Sequence, residues 1–191
     1  MNIITGEARG IKLKTLEGEA TRPTLQRAKE VIFSAIQFDI EGRRVLDLFA
    51  GSGQLGLEAL SRGAEHAVLV DKSPEAFDTI KENAQKTRLY KKCRIENMDY
   101  AAYLLSAKRS GVKFDLVFLD PPYDSGLLVP SLKALYVNGL LSESAIVAAE
   151  WEHDTLLEDN PQLKEMYDLS KLYKSGRIYF YKLTPEKGET V

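Results

Sequence analysis

The residues best suited to chemistry in this sequence are Asp120-Pro121-Pro122-Tyr123, which follow the apolar run from Phe114 to Leu119. Proline donates no backbone hydrogen bond and fixes φ, so the carbonyls that precede these two prolines are rigidly aimed. The Asp120 carboxylate and one such carbonyl make a pair of acceptors suited to a single NH2 group, and Tyr123 offers a face on which the ring bearing that amine can stack. An exocyclic amine conjugated to a base is a weak nucleophile because its lone pair is delocalised into the ring. Two acceptors placed off the ring plane favour pyramidalisation, which turns the lone pair toward an incoming methyl group. Asp120 then stabilises the positive charge that develops on nitrogen. Holding amine and methyl in line supplies the remaining gain. Such a site needs no metal and no strong base, and a paired or stacked base would have to be turned out to reach it.

A second group of residues suits a nucleotide-like donor. Asp47-Leu48-Phe49-Ala50-Gly51-Ser52-Gly53 lies where a short apolar strand meets a helix, and with Gly56 the spacing satisfies G-x-G-x-x-G. Glycines there let the backbone approach a ligand closely, at the strand ends where open α/β sheets bind ligands. The pattern fits a dinucleotide and a methyl donor alike. Asp71 ends the next strand and can accept hydrogen bonds from the two hydroxyls of a ribose. Asp47, a charged residue on the first strand, can orient the glycine turn or face the cationic end of a methyl donor. Asp99, after a third strand, can accept from an adenine amino group, cap the following helix, or do both.

These residues need a frame that delivers them to one edge. From Arg43 the chain alternates strand-like and helix-like segments: strands at Arg43 to Phe49, His66 to Val70, Cys93 to Glu96, Phe114 to Leu119 and Ala145 to Trp151, with helices between. This alternation predicts a parallel sheet covered on both faces. Met166 to Tyr173 and Arg177 to Leu183 are separated only by Lys174-Ser175-Gly176, which leaves no room for a crossover helix and predicts an antiparallel pair. Leu156 to Asn160 reads as a loop. Upstream, Ile3-Ile4-Thr5 and Ile11 to Lys14 read as the strands of a hairpin-like arm. A helix then starts at Pro23 or Thr24, with Ala28, Val31, Ile32, Ala35 and Ile36 on one face. The expected organisation is an arm at residues 1–20 and one α/β domain at 21–191.

Composition bounds the function. The chain has 191 residues, 44% of them hydrophobic, and a formal net charge of −2. That argues against disorder and against holding nucleic acid by bulk positive charge. One cysteine, Cys93, permits no internal disulfide, and His66 and His153 are too far apart for a metal motif. No apolar run approaches the roughly 20 residues of a membrane span. A reducing cytoplasmic setting, with no membrane and no metal, is expected.

With these residues in view, the sequence resembles the class I S-adenosylmethionine-dependent methyltransferases, and among them the RsmD family, which methylates the N2 amine of a guanine in bacterial small-subunit ribosomal RNA. The likeness runs through Ile3-Ile4-Thr5-Gly6 with Arg9-Gly10, Thr21-Arg22-Pro23-Thr24, Leu46 to Gly53, Leu55 to Gly63 and Phe118 to Tyr123. It implies a Rossmann-like domain with a mostly parallel seven-stranded sheet, helices on both faces, a last strand pair antiparallel, and an N-terminal β-hairpin arm. It also implies Asp47, Phe49, Ala50, Gly51, Gly53, Asp71, Lys72, Met98 and Asp99 around S-adenosylmethionine, whose product is S-adenosylhomocysteine. Asp120, Pro121, Pro122 and Tyr123 would then hold the guanine. The implied partner is 16S rRNA in an assembling small subunit, met by a monomer. Ser175-Gly176 stands where a Tyr-Gly is expected.

Residues 1–30 carry a small excess of positive charge, including Arg9, Lys12 and Arg22, and can supply phosphate contacts, joined by Lys171, Lys174 and Arg177 if these lie on the same side. Three other readings compete: an amino-methyltransferase acting on DNA adenine or a protein amide, an NAD-dependent dehydrogenase built on the glycine pattern, and an inactive RNA-binding module. The intact tetrad speaks against the last. No separate target-recognition domain is legible for the first.

Overall fold

The computed structural model describes residues 1–16, 23–176 and 178–186, without the side chains of 23–28 and Tyr123. Helix α1 (Pro23–Ala35) leads into β1 (Arg44–Asp47), α2 (Gln54–Ser61), β2 (His66–Asp71), α3 (Pro74–Lys86), β3 (Cys93–Asn97), α4 (Tyr100–Ser110), β4 (Phe114–Leu119), α5 (Leu128–Val137), β5 (Leu141–Trp151), α6 (Leu156–Asp159), β6 (Tyr167–Ser175) and β7 (Ile178–Pro185). The strands form one sheet in the order β3-β2-β1-β4-β5-β7-β6. The first five are parallel, and β7 is inserted antiparallel between β5 and β6.

Local chemistry accounts for the element ends. Helix α3 starts where Ser73 accepts from Ala76 N–H and Pro74 takes the first turn, with Glu75 at its positive end and Lys86 at its negative end. The Asp99 side chain caps α4 through Ala101 N–H, and Gly111 at φ 69° closes it. The central strand β4 is buried along most of its length, because helices cover both faces. The core therefore divides into two apolar clusters. One, with Phe33, Ile36, Val45, Leu57, Leu69, Ile80 and Phe118, lies under α1, α2, α3 and the N-terminal residues. The other, with Leu46, Val117, Leu132, Val147, Tyr167 and Tyr181, lies under α4, α5 and α6.

Two expectations need correction. The first strand ends at Asp47 instead of Phe49, because the backbone turns away from the ladder into the glycine loop, with Ala50 N–H donating to Val70 O at 3.0 Å. Leu156 to Asp159 forms a one-turn helix, not a loop. Burial of Leu156 and Leu157 and a hydrogen bond from Leu156 N–H to the Tyr181 hydroxyl (3.1 Å) fix that turn where periodicity is too short to read. The arm is a short hairpin, with an antiparallel bridge between Asn2 and Lys12 and backbone hydrogen bonds from Ile3 N–H to Ile11 O (3.0 Å), Gly10 N–H to Ile3 O (2.9 Å) and Leu13 N–H to Met1 O (2.8 Å), and its Ile3, Ala8 and Leu13 lie in the core. Among the described residues no helix is long and apolar enough to cross a membrane, and no cluster of His, Cys, Asp and Glu suits a metal ion. Cys93 is half-buried against the first cluster, and burial pushes its thiol up to about 12, so it stays protonated.

Candidate active site

Parallel strands with helical crossovers bring four chain segments to one edge of the sheet. Asp47 pairs in register with Leu69 and Phe118, Asp71 with Asn97, and Leu119 with Ala149, so the ends of β1, β2, β3, β4 and β5 stand side by side. Asp47, the glycine loop, Asp71, Met98, Asp99 and Asp120 therefore share the carboxyl edge although they span 74 positions of sequence.

The glycine loop is held by carboxylates. Buried Asp47 accepts from Gly56 N–H through Oδ2 at 2.8 Å, which ties the first turn of α2 to β1. Asp71 accepts from Gly51 N–H (2.9 Å) through Oδ2 and from Ser73 N–H (2.9 Å) through Oδ1. Gly51 at φ 52° and Gly53 at φ 81° hold left-handed conformations, which glycine adopts at least cost. At Gly56 a Cβ would fall 2.8 Å from the Leu69 side chain, so this third glycine serves the close approach of α2 to β2. Phe49 is half-buried, with its ring 5.6 Å from that of Tyr100, Ala50 is buried, Lys72 is exposed, and Met98 packs half-buried on the second cluster. The exposed Asp99 caps α4 through Oδ1, which accepts from Ala101 N–H at 2.8 Å.

Past β4, Asp120 is exposed, Pro121 buried and Pro122 exposed. Pro122 O accepts from Ser125 N–H at 3.0 Å. Pro121 O accepts a backbone hydrogen bond from none of the described residues. Tyr123 begins a short 3-10 turn through Ser125.

Two side chains important to the site escaped sequence reading. Asn83, fully buried on α3, donates to Ser52 O (2.9 Å) and Lys14 O (2.9 Å) and accepts from Lys14 N–H (2.8 Å), pinning the glycine loop to the N-terminal residues. Glu58, fully buried on α2, accepts from Ile4 N–H (2.7 Å), Thr5 N–H (3.0 Å) and Arg62 Nε (2.7 Å), with Lys29 Nζ at 3.2 Å. Burial pulls the Lys29 ammonium below its ordinary range, and Glu58 pulls it back. The signal was present in both cases: a polar residue on an otherwise apolar helix face.

Of the arm's basic residues, Lys14 lies beside the glycine loop but pairs with Glu82 at 2.7 Å, and Arg9 at the tip lies elsewhere. Gly6 packs on the backbone of Ser61, the last residue of α2, and Glu7 N–H donates to Ser61 O at 2.9 Å. An eight-residue helix is about 12 Å long, so the arm's tip, which packs at Ser61, lies at the other end of α2 from the glycine loop, and Arg9 is exposed there. Lys12 is exposed on the returning strand, and Arg22 and Arg177 lie outside the described residues.

This sheet order and carboxyl-edge site define the Rossmann-like methyltransferase fold. A solved structure from Escherichia coli, yhhF, shares it with a TM-score of 0.82 and 30% identity, over 97% of this chain and 98% of that one. The chain belongs to the family described as "Conserved hypothetical protein 95", whose model matches residues 1–182, and the RsmD resemblance holds across the chain. Among curated relatives, the "Ribosomal RNA small subunit methyltransferase D" of Escherichia coli K12 is 34% identical over 94% of this chain and 87% of its own length. The protein of the same name from Haemophilus influenzae is 35% identical over 81% and 80%.

Proposed function

We propose that this protein transfers a methyl group from S-adenosylmethionine to the exocyclic N2 amine of a guanine in 16S ribosomal RNA, acting on an assembling small subunit in the cytoplasm. The observation that carries this reading is the placement of Asp120 and the Pro121 carbonyl on the same sheet edge as the glycine loop, in a chain whose relatives are named as small-subunit rRNA methyltransferases.

The residues present suit the donor. Gly51 and Gly53 keep side chains out of the loop, and Asp71 and Asp99 each use one lone pair per engaged oxygen, leaving acceptors for ribose hydroxyls and the adenine amine. The donor, when bound, supplies a methyl group made electrophilic by its sulfonium. Asp47 holds α2 against β1 and contributes negative charge near that cation. Asp120 and Pro121 O accept the two N–H bonds of the guanine amine and draw them out of the ring plane, so that the nitrogen lone pair points at the methyl. As the nitrogen–carbon bond forms and the carbon–sulfur bond breaks, Asp120 stabilises the cationic nitrogen, which then releases a proton to solvent. Pro121 and Pro122 hold this geometry without reorganisation. Tyr123 stacks on the base.

Incubation with labelled donor and ribosomal particles lacking the modification tests the reading, and label absent from RNA would sink it. Asp120→Ala should lower turnover by roughly 10²–10³-fold or more while leaving S-adenosylhomocysteine affinity within about twofold, as calorimetry would show. Mapping methylated guanines in ribosomal RNA from a strain lacking the protein identifies the nucleotide.

A further inference from the structure

We infer that the β6–β7 hairpin is an RNA-contact surface that holds phosphates of the single-stranded RNA beside the target nucleotide, with Lys171 and Lys174 as its phosphate ligands. The inference rests on the RNA-methylation reading and deepens it. It relocates the main electrostatic contact from the arm to the opposite edge of the sheet.

The first observation is charge. Residues 169–185 contain Lys171, Lys174, Arg177 and Lys182 and no Asp or Glu, in a chain whose net charge is −2. This stretch is more positive than the N-terminal arm. Lys182 is neutralised by Asp39 at 2.9 Å, whereas Lys171 and Lys174 are exposed and have no ion pair among the described residues.

The second is position. Leu119 is paired with Ala149, and Trp151 with Tyr179, so Tyr179 stands level with Pro121. With strands about 4.8 Å apart, β7 lies two strands, about 10 Å, from the Asp-Pro-Pro-Tyr turn, and β6 about 14 Å. The turn of the hairpin, at Ser175-Gly176, therefore projects from the same edge as the carboxylates, while the tip of the arm does not.

The third is geometry. Lys174 Nζ sits 5.1 Å from the centre of the Tyr179 ring, and Lys171 Nζ 5.2 Å from that of Tyr173. Both rings are half-buried, Tyr173 of β6 against the first core cluster and Tyr179 of β7 against the second, so the two pairs lie on opposite faces of the β6–β7 hairpin. A strand of RNA crossing that edge meets an ammonium group on each side. Cations held over aromatic rings beside an exposed backbone edge match the phosphate tracks and stacking platforms of single-strand binding. Asp154 is an acidic group near Lys174, one charge against the two lysines.

Edge lysines can also serve only to deter strand-to-strand aggregation. Charge reversal separates the two roles, because glutamate keeps the edge charged but repels phosphate. In the full-length protein, Lys171→Glu combined with Lys174→Glu is expected to raise KM for unmethylated ribosomal particles at least tenfold, with kcat within twofold and S-adenosylhomocysteine affinity unchanged. The slope of log affinity for single-stranded RNA against log salt should shrink by about 1.4 for two lost phosphate contacts. The corresponding glutamine pair should show the same KM effect if it stays soluble. An unchanged KM in the glutamate pair, with normal wild-type turnover, overturns the inference and leaves the methylation reading intact. A wild type that binds RNA through these lysines yet methylates none overturns that reading alone.

Discussion

Asp47, Asp71 and Asp99 at the sheet edge each accept at least one backbone N–H, so each ties the turn after its strand to the helix that follows. Asp71 is the sharpest case, since its two oxygens take Gly51 N–H and Ser73 N–H, joining the glycine loop to the start of α3. Asp71→Asn places an NH2 group against one of those donors. The expected outcome is a loss of about 1–3 kcal/mol in stability from the unsatisfied amide, read by urea unfolding, together with weaker S-adenosylhomocysteine binding by calorimetry. Asp120 differs in being exposed beyond its strand, and Asp120→Ala should act on turnover far more than on donor affinity. The residue types were legible in the sequence because glycine, proline and aspartate in these spacings have few other uses. Their division of labour was not, because which oxygen meets which amide depends on strands that are distant in the chain.

At the scale of elements, the molecule is tied together by charges placed where apolar residues would be expected. Glu58 joins α2, α1 and the N-terminal residues through two amides and two cations, all within the interior. Glu58→Gln would strand Lys29 as an unpaired buried cation, and the expected cost is about 3–5 kcal/mol, measurable as a lowered denaturant midpoint. A larger fall in affinity for donor than for a nonspecific nucleotide would show that the arm also steadies the glycine loop. At the other end of the sheet, Asp115 on β4 accepts from Arg44 N–H at 3.0 Å and pairs with the Arg44 guanidinium at 3.0 Å. Burial opposes ionisation of this carboxyl, but the Arg44 hydrogen bonds outweigh it and hold its pKa down to about 2, below the usual 3.8. A depressed carboxylate adds stability that is fully present above about pH 4 and is lost as pH falls through about 2. Asp115→Asn should therefore be less stable than wild type at neutral pH, and the gap should close between about pH 4 and pH 2 in acid unfolding curves.

For the molecule as a whole, a net charge of −2 means that, under the proposed function, RNA would have to be met by a local surface and not by an overall field. Methyl transfer to assembled particles is therefore expected to exceed transfer to naked 16S transcript at physiological salt, with the naked-RNA rate falling more steeply as salt rises. Equal rates on both substrates across that range would contradict it. The sequence by itself determined the alternation of strand and helix, the antiparallel closing pair, the residue types and spacing of Asp120-Pro121-Pro122-Tyr123 and the glycine loop, and the family likeness, because each is carried by local periodicity or by residues whose backbone constraints are intrinsic. Only the tertiary structure decided that Glu58 and Asn83 are anchors, that Leu156 to Asp159 coils into a helical turn, and that the arm's tip and the β6–β7 hairpin stand at opposite ends of the molecule. Those facts depend on contacts between residues far apart in the chain, and a polar side chain in an apolar stripe shows its purpose only once its partners have been brought to it.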